Sequence, residues 1–173
     1  MTLRYLPEHA ESALLALDVA RKEAAHLQYT HDTLFVHPVD AAWVRQLEQR
    51  PDLAEKVDAF VGRFGRLQDQ IGERLIPRFA ALVGEAPKSL LDCLAHAERM
   101  GWIDSAEAFI GSRKLRNLLV HEYMSDVQLF LQALLAAREA TEILFSIVAR
   151  IGAEATSLSL TVDKLPNSTN HGG

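Results

Sequence analysis

Four side chains close together in one stretch can do chemistry: Arg116, Asn117, His121 and Tyr123, within Arg113-Lys-Leu-Arg-Asn-Leu-Leu-Val-His-Glu-Tyr123. Arg116 is a permanent cation whose planar fork suits phosphate. His121 can take or give a proton near neutrality, because an unperturbed imidazole titrates at about 6.5. Asn117 can donate to an oxyanion or orient a neighbour. Tyr123 offers a hydroxyl as donor, as acceptor or as a group to be modified. Arg113 and Lys114 complete a local basic cluster with Arg116, suited to phosphate or RNA. Arginine with histidine, and no metal ligands, matches phosphodiester cleavage by the 2′-hydroxyl of RNA. The imidazole then moves the proton while the guanidinium stabilises the phosphorane charge. The same residue types at a helix–helix turn can instead cap carbonyls and pair with Glu122 or Asp126, a purely structural role.

The elements around this stretch are helical. Asp104-Ser-Ala-Glu107 reads as a capping box opening one helix, and Ser125-Asp-Val-Gln128 as a capping box opening the next. Arg116 and Asn117 then fall late in the first of these helices, with His121 and Tyr123 at or near the turn between the two. In an extended turn, residues two apart can be presented together, and exposed turns on a rigid scaffold are where functional side chains gather.

Upstream, the periodicity predicts a helix from about Pro7 to Tyr29, broken at Thr30-His-Asp-Thr. Asp40-Ala-Ala-Trp-Val-Arg-Gln-Leu predicts a short helix. Proline at the first helical turn starts a long one at Pro51, running to about Val83. Val57, Phe60, Val61, Phe64, Leu67, Ile71, Leu75 and Phe79 mark its apolar face. Pro77 is expected to kink this helix rather than end it, and Gly62, Gly65 and Gly72 suit close helix approach. Lys88 to Met100 forms a compact helix with Gly101 just past its end. The last helix, to about Ala155, carries apolar residues on more than one side, as a central or shared helix does. The expectation is an all-α antiparallel bundle of five or six helices over residues 1–156, with a mobile tail over 157–173.

Composition supports this frame and narrows the function. Among 173 residues, 49% are hydrophobic and 24% charged, as in ordinary globular domains. The net charge of −5 excludes a global electrostatic footprint for nucleic acid, leaving only the local cluster around Arg116. The single cysteine, Cys93, excludes an internal disulfide and is expected to be a buried structural thiol. His26, His31 and His37 are irregularly spaced and lack cysteine or carboxylate partners at ligand spacing, so no metal is expected. No secretory signal and no run near ~20 apolar residues is present, which predicts a cytoplasmic protein without a membrane partner.

Arg116-Asn117-Leu-Leu-Val-His121-Glu-Tyr123 resembles the R-x-x-x-x-H-x-Y signature of HEPN-domain proteins. The order of elements is similar to the HepT-like branch, the toxin partners of minimal (MNT) nucleotidyltransferases. Arg66-Leu67-Gln68-Asp69, Pro77, and Leu91-Asp92 through Gly101 add to the resemblance, which covers about residues 50 to 150. The first 50 residues match no signature, and His31 to Arg50 is particular to this chain.

The resemblance implies a homodimer with its two motifs facing one cleft, acting as a metal-independent endoribonuclease without cofactor, or binding RNA without cutting it. By this resemblance Arg116 and His121 are the catalytic pair and Asn117 supports them. A cognate MNT-type nucleotidyltransferase antitoxin would transfer AMP to Tyr123. Asp69 is a further supporting candidate that can equally be a surface or capping carboxylate. Two alternatives stay open: a non-catalytic, substrate-binding partner of a nucleotidyltransferase, and a helical dimerisation protein whose motif only caps.

Overall fold

The computed structural model describes residues 4–123 and 125–160; the tail expected to be mobile lies mostly outside them. A short 3-10 turn, Pro7–His9, leads into α1 (Ala10–Leu34). Then come α2 (Ala41–Gln46), α3 (Pro51–Gln70) and α4 (Ile76–Leu82), with a π-helical turn, Ile71–Leu75, joining α3 to α4. The remaining helices are α5 (Leu90–Arg99), α6 (Ala106–His121) and α7 (Val127–Ser157). No strand occurs among the described residues, and with α3 and α4 forming one rod the fold has six helices, as the periodicity implies.

Side-chain pairings fix the helix directions. Along α3 and α4, Arg63 donates to the His26 carbonyl, Gln70 to the Ala16 carbonyl and Arg78 to the Ser12 carbonyl, so α1 runs antiparallel to this rod. Gly65 lies under Arg116 and Gly72 against Phe109, so α6 also opposes α3. Gly152 of α7 meets Arg21, and Arg138 sits 5.6 Å from the centre of the Phe35 ring, so α7 opposes α1. Four long rods therefore alternate in direction around Phe60, Phe64, Phe79, Phe109 and Phe130, all buried. The buried residues of α7, among them Leu134, Leu144 and Ile151, recur every three or four residues along one broad face, so the burial on more than one side that its apolar residues suggest is not found.

Several local expectations change. α1 does not break at Thr30 but continues to Leu34. Leu27, Thr30 and Leu34 are buried at helical spacing, and the Thr30 hydroxyl donates to the His26 carbonyl. Core packing thus outweighs the weak helix propensity of a Thr-His-Asp-Thr run. The chain passes Pro77 through the π turn, where the Ile76 N–H reaches back to the Ile71 carbonyl. Pro77 has no N–H for the Glu73 carbonyl four residues back, and the wider turn just before it absorbs that missing bond.

Both capping boxes are displaced by one residue. Ser105, not Asp104, caps α6 by accepting from the Ala108 N–H at 3.1 Å, which frees Asp104 to pair with Arg150 at 2.7 Å. Asp126, not Ser125, caps α7 by accepting from the Leu129 N–H at 3.0 Å, while Ser125 donates to Glu122. Ser89 caps α5, so that helix begins at Leu90, and Gly101 beyond its end takes φ +76°, the left-handed region glycine favours. α7 reaches Ser157, and Leu158 and Leu160 pack on the core. Cys93 is buried, and burial raises its thiol pKa, with the Asp92 charge adding to the effect. No described helix is long and apolar enough to cross a membrane.

Candidate functional site

The motif divides between two faces of α6 and the turn beyond it. His121 is the last residue of α6 rather than part of an extended turn. At about 100° per residue, Arg116 and His121 point roughly 140° apart. Arg116 turns inward to α3, where its Nη1 donates to both carboxylate oxygens of Asp69, at 3.0 and 2.9 Å. Lys114, Asn117 and His121, three and four residues apart, form a stripe on the outer face, and all three are exposed. Val120 beside this stripe is 57% exposed, an apolar side chain left uncovered next to the imidazole.

Close approach of α3 and α6 depends on Gly65. A Cβ there would lie 2.5 Å from Arg116 Nε and 2.8 Å from its Cζ, so the guanidinium occupies the space a side chain would need. Gly72, two turns on, meets the Phe109 ring at ordinary contact distance. Gly62 has no such role, since its nearest neighbour is the mobile end of Arg66 at 3.7 Å.

The basic cluster expected from Arg113, Lys114 and Arg116 is not a free cationic patch. Arg113 Nη2 lies 3.7 Å from Asp69 and 3.9 Å from Glu73, so two guanidinium groups face two carboxylates. The four charges cancel, which leaves Lys114 as the cation of α6 turned to solvent. Asp69 therefore does reach the motif from the second long helix, as its direct partner rather than a distant support. Glu73 joins it because, four residues after Asp69, it lies on the same face of the rod.

Tyr123 stands apart from this network. Its ring meets Phe130 of α7 edge-on, with centroids 5.3 Å apart, and it lines a cavity of about 520 Å³ between α2 and the start of α7. Val44, Leu47 and Phe130, all buried, lie at its base, and Arg45 and Glu48, both exposed, also line it. Burial raises the Tyr123 pKa, and the charge of Asp58 raises it further, so the phenol stays protonated at neutral pH. Asp58 and Asp69 are eleven residues apart on α3, about 16 Å at helical rise, so the phenol and the Arg116 guanidinium lie at different levels of the bundle. Sequence reasoning missed this cavity because the short helix that Asp40 caps carries no chemical motif.

The histidines considered for metal are dispersed: His26 and His37 are exposed, and His31 sits against Asp32 and Phe35. Among the described residues no three potential ligands cluster. Comparison of the chain with protein-family models, curated proteins and solved structures gives no match.

Proposed function

We propose that the chain is a HEPN-type toxin: a metal-independent endoribonuclease whose site is completed in a homodimer, controlled by a nucleotidyltransferase antitoxin acting on Tyr123. The observation that carries this reading is the division of α6, with Arg116 anchored on α3 and His121 exposed on the opposite side beside Asn117 and the uncovered Val120. One chain alone does not bring imidazole and guanidinium to one phosphate. Two copies apposed through the outer faces of α6 bring the His121 stripes together and give Val120 a partner.

In that cleft the 2′-hydroxyl of RNA attacks the adjacent phosphorus and gives its proton to one imidazole. The P–O5′ bond breaks, leaving a 2′,3′-cyclic phosphate and a 5′-hydroxyl that takes a proton from the second imidazole. Arg116, swung off Asp69 onto the phosphate at the edge of that cleft, stabilises the phosphorane charge. For control, the Tyr123 oxygen attacks the α-phosphorus of ATP, pyrophosphate leaves, and the phenolic proton passes to a base of the transferase. The anionic product lies beyond His121 at the end of α6 and obstructs the cleft.

Cleavage of RNA in the presence of chelator tests the reading: His121→Ala and Arg116→Ala should each lose it by about 10²-fold or more, the first as a lost general acid–base and the second as a lost stabiliser of the transition-state charge. His121→Ala protein that cuts as fast as wild type, and still inhibits growth, refutes it.

The charge balance at Asp69 and Glu73 favours a second reading, a non-catalytic nucleotidyltransferase partner. With the net charge of −5 it leaves little attraction for bulk RNA. Its mark is a stable complex with the transferase and no cleavage of RNA by the isolated, unmodified chain.

A further inference from the structure

An open groove of about 370 Å³ runs between α1 and α7 and shares no residue with α6; Ala24 and Ala25 lie on one side of it, Phe145 and Ala149 on the other. Its lining is accessible, since Ala25 and Ala149 are exposed and the Phe145 ring is half-buried. Two stripes flank it. Arg21, Ala25 and Tyr29 step by four along α1, and Glu142, Ala149 and Ala153 by seven and four along α7. All six are exposed, and the Tyr29 side chain is 69% exposed, a large ring left uncovered. Neither Arg21 nor Glu142 pairs with a described charge, although neighbouring residues do, Lys22 with Asp18 and Arg138 with Glu139.

We propose that this face binds a second copy of the chain across a two-fold axis at the middle of the groove. Arg21 lies over Gly152, and the two helices are antiparallel, so each step forward on α1 is a step back on α7. Glu142 is ten residues before Gly152, ~15 Å along the helix. An axis midway between those levels, beside Ile147, falls between Phe145 and Ala149, which line the groove. Rotation about it sets Arg21 of each copy against Glu142 of the other. The same rotation carries the Tyr29 ring onto Ala149 and Ala153 of the other copy, where two small side chains one turn apart leave room for it. The surface is thus complementary to itself, as a two-fold interface requires, with a tyrosine anchor and opposite charges at the rim. A partner of one charge sign would match only half of it.

The contact does not rest on the ribonuclease reading, and a chain that also pairs through α6 assembles beyond a dimer. Sedimentation velocity of the full chain over a range of concentration tests it, with each variant also made alongside Val120→Glu, which sets a charge in the α6 pairing. Wild type should associate reversibly. Arg21→Glu and Glu142→Arg should each weaken the association tenfold or more, because like charges then meet across the axis. Tyr29→Ala should weaken it on a similar scale. The two charge variants mixed in equal amounts should pair with each other as tightly as wild type, since every new charge then faces its opposite, and so should the chain carrying both changes. Both positions are exposed and unpaired, so circular dichroism of each variant should match wild type.

A wild-type chain that stays monomeric at every concentration overturns the proposal. So do charge variants that associate like wild type, or folded charge variants that fail to pair on mixing. Association lost with Val120→Glu and untouched by Arg21→Glu belongs to α6 alone; it removes this face and keeps the dimer of the proposed cleft. Association lost with Arg21→Glu, regained on mixing and untouched by Val120→Glu upholds this face and leaves the cleft without its second copy.

Discussion

Asp69→Asn separates two roles for the carboxylate that Arg116 grips. The substitution keeps the side chain's size and removes the charge that Arg116 and, at longer range, Arg113 face. The cluster of Arg113, Arg116, Asp69 and Glu73 then changes from neutral to a net +1. If Asp69 competes with phosphate for Arg116, one more phosphate contact becomes available to RNA. Each such contact on a single strand steepens the plot of log affinity against log salt by about 0.7, which at ~0.1 M salt is about fivefold tighter binding.

Stability should change little. The side chains of Arg116 and Asp69 are 37% and 34% exposed, so solvent screens their pairing and the loss is ~0–1 kcal/mol. For a chain of this size that corresponds to a fall in Tm of at most about 2–4 °C. The assay is fluorescence anisotropy of a labelled single-stranded RNA across a range of salt, with a thermal melt of the same samples. Weaker binding, or an unchanged salt slope, refutes the competition and makes Asp69 a positioning residue that holds Arg116 in its working orientation.

Three other changes test the frame around the site. Gly65→Ala places a methyl 2.5 Å from Arg116 Nε, and the guanidinium should swing off Asp69, detectable as a shifted Arg116 Nε–H resonance. The gain of roughly 0.8–1 kcal/mol in helix propensity offsets much of the strain, so a variant that fails to fold would show that Arg116 cannot yield. Asp126→Ala should cost about 0.5–2 kcal/mol as a lost helix cap, while Ser125→Ala costs less; equal Tm losses would refute the cap position. His96 is buried against Trp102 with no partner for its Nε2, and burial lowers its pKa, with Glu85 opposing and Arg99 adding to the shift. The unfolded chain therefore binds a proton more readily than the folded one, and stability should fall as pH drops below about 6.5. In His96→Phe protein, the part of the melting-temperature change below pH 6.5 due to this group should disappear.

The helices were legible because their apolar spacing is regular; Val57, Phe60, Phe64, Leu67, Ile71, Leu75 and Phe79 are buried where the pattern of three and four puts them, and Val61 alone of that set is half-buried. Their ends were less so. Asp104-Ser105 and Ser125-Asp126 each offer two adjacent capping side chains, and only the fold decides between them, because Asp104 is taken by Arg150 from the far end of α7. Thr30 misled for the opposite reason: its buried contacts with α3, through Arg63, lie beyond any local propensity.

The same limit explains why the cluster around Arg116 read as cationic. Counting charge along the chain reaches neighbours one helical turn away, whereas Asp69 is 47 positions distant. Yet α3 carries a signal in Gly65, Asp69 and Gly72, at i, i+4 and i+7, one stripe of a helix. Glycines inside a helix cost about 1 kcal/mol each; Gly65, beside a carboxylate on one face, makes room for a large cation on a neighbouring helix, and Gly72 packs against the Phe109 ring of that helix. Arg116 and Phe109 are themselves seven residues apart on α6, and in an antiparallel pairing that spacing sets Arg116 over Gly65 and Phe109 over Gly72. Asp69 then meets the arginine by register alone. A motif arginine read with its glycine–acid stripe is a neutralised arginine, and the function of such a site turns on what draws Arg116 away from Asp69.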